Sequence, residues 1–321
     1  MTSAAGGYGG YGGYGGYGGY GGYGGYGGNG NAGGSGGLMF PDRADLPFVS
    51  EPCIDGIEFH PTGFGTRLWS TRWYAWVVMS ELARRPDWLK QLGGFKLLAD
   101  PDCPPWFKDR KFLERDICEL RKMAVEERAD AFGEFASEAD EFISKFLHLV
   151  SATALTHPAT ARMLIVADAV TALITMHYKF KFDRPRPTQV IPGFMSPIQH
   201  GGHASYPSGH ATQAHVFAKL LTRLIPSPLG DPTSDGGTTI AQALDVLAKR
   251  IARNREIAGL HYRSDTEAGI KLAHVIADKI LLNGYLPKFD KLFQDAWQEW
   301  NDPVYSRDAR RGAYDDTDAM A

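Results

Sequence analysis

Three cysteines in a chain of 321 residues, Cys53, Cys103 and Cys118, are too few and too odd in number for a disulfide framework. They fit a reducing compartment. No Cys-x-x-Cys pair and no histidine-rich metal spacing occurs. The formal net charge of -3 leaves no basic excess, which excludes the cationic footprint of a nucleic-acid-binding domain. Long apolar runs are scarce. The most apolar one, Met163 to Met176, is interrupted by Asp168 and reads as a buried helix, too short for a bilayer. Met1 is followed by Thr-Ser-Ala-Ala and glycine, without the basic start and apolar stretch of a signal peptide. The expectation is a soluble, cytoplasmic protein with no transmembrane segment and no nucleic-acid partner. Alternation at period two is also missing, which leaves little room for strands.

What is present first is a repeat. Residues 6–28 carry Gly-Gly-Tyr with seven tyrosines, Tyr8 to Tyr26, at a strict period of three. The segment has no proline and is two-thirds glycine, so a collagen triple helix is disfavoured. Glycine maximises the entropy lost on ordering, so residues 1–40 read as a disordered tail. Two roles stay open for it. It is a flexible leader, or its rings are weak adhesive sites through which copies self-associate as homo-oligomers.

From Pro41 the composition turns globular, and the organisation reads as one helical domain over 41–302 with a polar tail over 303–321. Arg67 to Arg84 has helical periodicity, with Trp69, Trp73, Trp76 and Val77 as its expected apolar face. Lys108 to Val150 reads as two helices. Pro158 opens another that runs to about Lys179, and Pro185, Pro187 and Pro192 end it. A loop from Arg186 to Tyr206 follows. Further helices are expected from Pro207 to Leu224, Thr238 to Ile257, Asp265 to Leu282 and Pro287 to Trp300. The fold class is all-α, a helical bundle.

Three stretches concentrate the chemistry. In Lys179-Phe-Lys-Phe-Asp-Arg-Pro-Arg186-Pro187, an ammonium at a helix end precedes a guanidinium held between two prolines. One compact cation and one bidentate cation suit an oxyanion with several oxygens. Taken alone, the stretch reads rather as an ordinary basic helix end helped by the macrodipole. Lys181 and Arg184 read as solvated or structural, with Asp183 as a partner. In Pro207-Ser208-Gly209-His210, a serine and a glycine stand before an apolar helix whose free amides attract anions. An N-cap serine explains Ser208 but gives no reason for His210, a residue suited to proton transfer near neutral pH. His200 and His203, just upstream, find no second ligand cluster for a metal and are expected at the site entrance or exposed.

The third stretch holds Arg255, His261 and Asp265. On one helix, His261 and Asp265 would share a face. Gly259 and Leu260 favour a turn instead, which would put His261 at an element boundary. A carboxylate on one imidazole nitrogen fixes the tautomer and frees the other nitrogen for attack.

The patterns Lys-x6-Arg-Pro, Pro-Ser-Gly-His and Arg-x5-His-x3-Asp resemble the type 2 phosphatidic acid phosphatase and vanadium haloperoxidase superfamily, over roughly residues 160 to 275. Asn254 departs from that pattern, standing where the third motif usually has serine. The resemblance implies a helical bundle of the acid phosphatase and haloperoxidase type. It implies that Lys179, Arg186, Arg255, Ser208 and the Gly209 amide bind the oxyanion. It implies His261 as nucleophile, Asp265 as its orienting group and His210 as general acid and base.

Three function classes follow. The first is a soluble phosphohydrolase acting on a small phosphate ester through a phosphohistidine, with no metal or other cofactor. The second is a haloperoxidase holding vanadate in the same cradle, with His261 as the vanadium ligand. The third is a phosphate-binding, self-associating protein that works through its Gly-Tyr tail.

Overall fold

A computed structural model describes Phe64 and residues 69–93, 110–225 and 239–301. The Gly-Gly-Tyr repeat, Cys53, Cys103 and residues 302–321 lie outside the described residues, and the expectations for both tails lie there with them. Cys118 is exposed with a free thiol.

Among the described residues the regular elements are helices. They are α1 (Thr71–Ala83), α2 (Trp88–Gln91), α3 (Arg110–Glu126), α4 (Arg128–Ser137), α5 (Ile143–Leu149), α6 (Pro158–Phe182), α7 (Pro187–Val190), α8 (Gly209–Leu224), α9 (Ile240–Ile257), α10 (Arg263–Ile276) and α11 (Pro287–Asn301). A five-residue π-helical turn, Ala277–Leu281, extends α10. The region expected as two helices is three, α3 to α5. The expected loop after Arg186 contains the short α7, where the Gln189 side chain accepts from the Arg186 amide at 2.8 Å.

The core is built around α6. Met163 through Val170 are buried in succession, so no side of that stretch faces water. Helices α1, α8 and α11 pack on it. Its start is capped from a distance: Glu299 of α11 accepts from the amides of Ala159 at 2.6 Å and Thr160 at 2.9 Å. A carboxylate there satisfies donors the first turn leaves open and lies at the favourable end of the helix dipole. The helix ends at Asp183, in the left-handed region at φ 46°, before Pro185 blocks continuation.

Two sequence expectations are corrected here. The apolar segment was expected to be too short for a bilayer. The helical stretch that holds α6 has an 18-residue window of mean hydropathy 1.5, long and apolar enough to cross one. Some 72% of that window is buried inside the fold. The second correction concerns α1. It buries Tyr74, Ala75, Val78 and Leu82, while Trp73 and Trp76 are more than half exposed. Both stripes satisfy helical spacing. The side that packs on α6 is the slimmer one, which lets the helices approach, and the tryptophans face outward with Arg72 over the Trp73 ring.

Helix α8 carries the site toward the core. It packs against α9, α10 and α6. Gln213 of α8 donates to buried Asp168 of α6 at 2.6 Å, which pairs a buried carboxylate that would otherwise be costly. Gly269 lets α10 reach the start of α8: a Cβ there would meet the Ser208 carbonyl oxygen at 2.6 Å.

Candidate active site

His261 is set by the junction of α9 and α10. After Ala258, Gly259 takes φ 76°, which turns the chain out of α9. His261 then precedes Tyr262, the N-cap of α10, so it stands at an element boundary rather than within a helix. Asp265 is the third residue of α10, and its Oδ2 accepts the Tyr262 amide at 3.1 Å. The same oxygen lies 3.1 Å from His261 Nδ1 and accepts from Ser205 Oγ. A carboxylate only accepts, so Nδ1 carries the proton and Nε2 keeps a lone pair. That lone pair faces Arg186 Nη1, 3.5 Å away.

The protonation states follow from burial. Burial pushes Asp265 up, but Arg184, His261 and Ser205 outweigh it and hold the carboxyl well below the usual range. Burial pushes the His261 imidazole well below its usual value; Asp265 opposes this, and Arg186 and Lys179 add to it. The imidazole is therefore neutral, the form with a free electron pair.

Arg186 stands at that lone pair; Lys179 also acts electrostatically on His261, and Arg255 acts on His210. Lys179, in the last turn of α6, donates to the carbonyls of Ala204 and Ser205, each at 2.9 Å. Arg186 donates to the carbonyls of His203 at 3.1 Å and Leu260 at 2.9 Å. Arg255, in the last turn of α9, donates to the Phe135 carbonyl at 2.7 Å and stands 3.5 Å from the Glu138 carboxylate. All three are almost wholly buried. Burial takes Arg186 and Arg255 down to about 10, and takes Lys179 well below its usual value, with Arg186 adding to the effect. Buried Arg255 Nε has no hydrogen-bond partner among the described residues. A buried donor left open costs roughly 1–3 kcal/mol, and ligand oxygens would remove that cost.

The Ser208–Gly209 turn lies beside Lys179. Ser208 is buried, caps α8 by accepting the Ala211 amide at 3.4 Å, and donates its own amide to the Asp265 carbonyl at 2.9 Å. Gly209 begins α8. A Cβ there would lie 3.8 Å from Gln213 Oε1 and 3.9 Å from Lys179 Cε, so this turn runs beside the Lys179 side chain. His210 follows, half-buried, with its ring stacked on Phe142. Its Nε2 donates to the Glu138 carbonyl at 3.0 Å, which leaves the lone pair on Nδ1. Burial and then Arg255 hold this imidazole well below its usual value.

Comparison with known proteins bears on this geometry. Residues 160–282 match the PAP2 superfamily. They contain Lys179, Arg186, Ser208, Gly209, His210, Arg255, His261 and Asp265. This segment is a PAP2 superfamily domain. A vanadium-dependent bromoperoxidase of Ascophyllum nodosum is 36% identical over 104 residues, 26% of this chain and 18% of that protein's length. A transmembrane PAP2 type phosphatidylglycerolphosphate phosphatase from Bacillus subtilis aligns over 69% of this chain and 94% of its own, at 14% identity and a TM-score of 0.29. That likeness is too distant to bear on activity.

Around the PAP2 residues the structure adds groups that sequence reasoning did not single out. Glu138, at the C-cap of α4, is buried and receives Lys145 at 2.8 Å, Asn254 at 2.9 Å and Arg255. Asn254 therefore departs from the motif with a stated partner: its carboxamide donates to the carboxylate beside Arg255. Ser205 holds Asp265 from the other side. His203 does line the site, with Nδ1 3.1 Å from Arg186 Nη2, while His200 is exposed. Arg184 is buried and pairs with Asp265 at 2.7 Å rather than with Asp183. Lys181 is exposed, as a solvated residue would be. Glu138 lies outside the motif-bearing segment, so no local spacing pointed to it. Among the described residues no group of three or more His, Cys, Asp or Glu side chains is placed to hold a metal ion.

Proposed function

We propose that the chain is a phosphohydrolase that cleaves a small phosphate ester through a phosphohistidine on His261. The observation that carries this is the His261 ring itself: Nδ1 is occupied by Asp265, and Nε2 is left open beside Arg186. The phosphoryl oxygens would lie among Lys179, Arg186, Arg255, the Ser208 hydroxyl and the Gly209 amide. His261 Nε2 attacks phosphorus and the ester P–O bond breaks. His210 donates its Nδ1 proton to the leaving oxygen. Water then attacks phosphorus, the N–P bond breaks, and His210 takes the proton from that water. His210 is neutral in the empty pocket, so the anionic substrate must raise its affinity for the proton it delivers.

A second reading is a vanadate-dependent haloperoxidase, favoured by the 36% identity to the bromoperoxidase. The donor set fits vanadate as it fits phosphate, since both are tetrahedral oxyanions and Arg255 Nε is open to either. Lys179, Arg186, Ser208, Gly209 and Arg255 would hold the oxygens and His261 the vanadium. Bound vanadate would supply peroxide activation.

A paired assay on purified protein decides. One arm measures phosphate release from an aryl phosphate, with acid-labile phosphohistidine trapped by denaturing quench. The other measures bromide oxidation by peroxide after orthovanadate loading. Phosphate release that is lost in His261→Ala and inhibited by orthovanadate is the expected result. Oxidation without phosphate release would hand the site to the second reading. In the same proposal α6 serves as a core helix of a soluble cytoplasmic protein. Recovery of the chain with membranes on cell fractionation would refute that placement.

A further inference from the structure

We propose that Arg184 is a positioning residue for the reaction: it holds Asp265, and through Asp265 the His261 imidazole, in the orientation needed for attack. The inference rests on the phosphohydrolase reading for its kinetic readout and deepens it.

Arg184 differs from the three cradle cations in the side of His261 it serves. Arg186 faces Nε2, whereas Arg184 lies beyond the carboxylate on the Nδ1 side. Its Nη1 donates to Asp265 Oδ1 and to Ser264 Oγ, each at 2.7 Å. Its Cζ lies 3.8 Å from the centre of the Tyr262 ring, over the ring. Its Nη2 is 3.6 Å from Asp116 of α3. The side chain is 2% exposed. Its backbone acts on the other carboxylate oxygen. The Arg184 carbonyl accepts the Ser205 amide at 2.9 Å, and Ser205 Oγ donates to Asp265 Oδ2. One residue thus fixes both oxygens of Asp265, Oδ1 directly and Oδ2 through Ser205.

The chemistry requires arginine there. A planar head serves the carboxylate and the Ser264 hydroxyl while its face rests on Tyr262. A lysine keeps the charge but loses the fork and the stack. The backbone supports the placement: Asp183 in the left-handed region and Pro185 bracket Arg184, so its carbonyl and side chain leave a stiff corner. Behind it, Asp116 is buried and lines a cleft of about 320 Å³ with Arg115, Glu119, Arg263, Ser264 and Glu267. The chain of contacts His261, Asp265, Arg184, Asp116 therefore runs from the nucleophile to that cleft.

The test uses the full chain carrying Arg184→Lys and Arg184→Gln. Three quantities are read: kcat on an aryl phosphate, Kd for orthophosphate by calorimetry, and the His261 tautomer by ¹⁵N-histidine NMR, with His261→Ala supplying the assignment. Partners that orient a metal-bound histidine contribute roughly 10- to 100-fold in activity, and the same order is taken for one that orients this histidine. The expected result is a kcat loss of about 10- to 100-fold in Arg184→Lys and more in Arg184→Gln. The phosphate Kd stays near wild type, because the cradle is untouched, and the His261 signal changes from one Nδ1-protonated tautomer to a mixture. A parallel loss of kcat and phosphate affinity would make Arg184 general scaffolding and overturn the proposal. So would an unchanged kcat or an unchanged His261 tautomer in Arg184→Lys, the variant that keeps the buried charge if Arg184→Gln does not fold. A wild-type enzyme without phosphate-ester turnover overturns the proposed function instead. The NMR comparison then decides the role of Arg184 by itself.

Discussion

Glu138 offers the sharpest perturbation outside the motifs. Its carboxylate is 1% exposed and receives Lys145, Asn254 and Arg255. Glu138→Ala removes the anion and leaves Arg255 buried beside an open donor. Breaking a buried pair from one side costs roughly 3–5 kcal/mol, a large part of the roughly 5–15 kcal/mol that stabilises a domain. Glu138→Gln keeps the shape and loses the charge. Its amide group must point a donor at one of the three donors already there, at a cost of about 1–3 kcal/mol. Function should suffer through Arg255. A contact to developing charge is worth roughly 3 kcal/mol, or about a hundredfold in rate. The backbone carbonyl that holds His210 survives both substitutions. Phosphate affinity and kcat should therefore fall while His210, the proposed general acid, stays in place. Urea unfolding, orthophosphate calorimetry and aryl phosphate turnover check these points in one preparation. Glu138→Gln with the wild-type urea midpoint and wild-type phosphate affinity would refute the reasoning.

Acid should destabilise the empty protein: burial holds His210 and His261 well below their usual values and takes His203 down to about 3, so the unfolded chain binds protons the folded one refuses. Stability is then full above about pH 6.5 and falls below it by up to about 1.4 kcal/mol per pH unit and group, and phosphate should flatten the slope; a urea midpoint constant from pH 7.5 to 5.5 would contradict this. Gly269→Ala places a Cβ 2.6 Å from the Ser208 carbonyl oxygen, so about 1–3 kcal/mol of stability and much of the turnover should be lost; a neutral result by melting and kinetics would mean that α8 and α10 separate without consequence. Glu299→Ala removes the distant cap of α6 and should cost about 1–2 kcal/mol in urea unfolding, with turnover per folded molecule unchanged.

Helix boundaries were legible where proline and glycine write them. Pro158 opens α6, Pro185 and Pro187 follow its end, and Gly259 turns the chain before His261. These are local backbone constraints, so spacing alone reveals them. The face of α1 was not legible. Trp69, Trp73 and Trp76 form as good an apolar stripe as Tyr74, Ala75, Val78 and Leu82, and only the packing against α6 chooses between them. That Lys108 to Val150 holds three helices rather than two was not legible for a related reason. Nothing local announces that Glu138 turns inward to residues more than a hundred positions later.

The sequence by itself determined the helical class, the order of the motifs and the residue types able to hold an oxyanion, because these depend on periodicity and on side-chain chemistry within a few residues. The tertiary structure decided which nitrogen of His261 is open, which carbonyls accept from Lys179 and Arg186, and that Arg184 serves Asp265 rather than solvent. Those outcomes depend on contacts between α4, α6, α8, α9 and α10. Burial turns each such contact into a choice of charge and tautomer, which no short stretch of sequence can make alone.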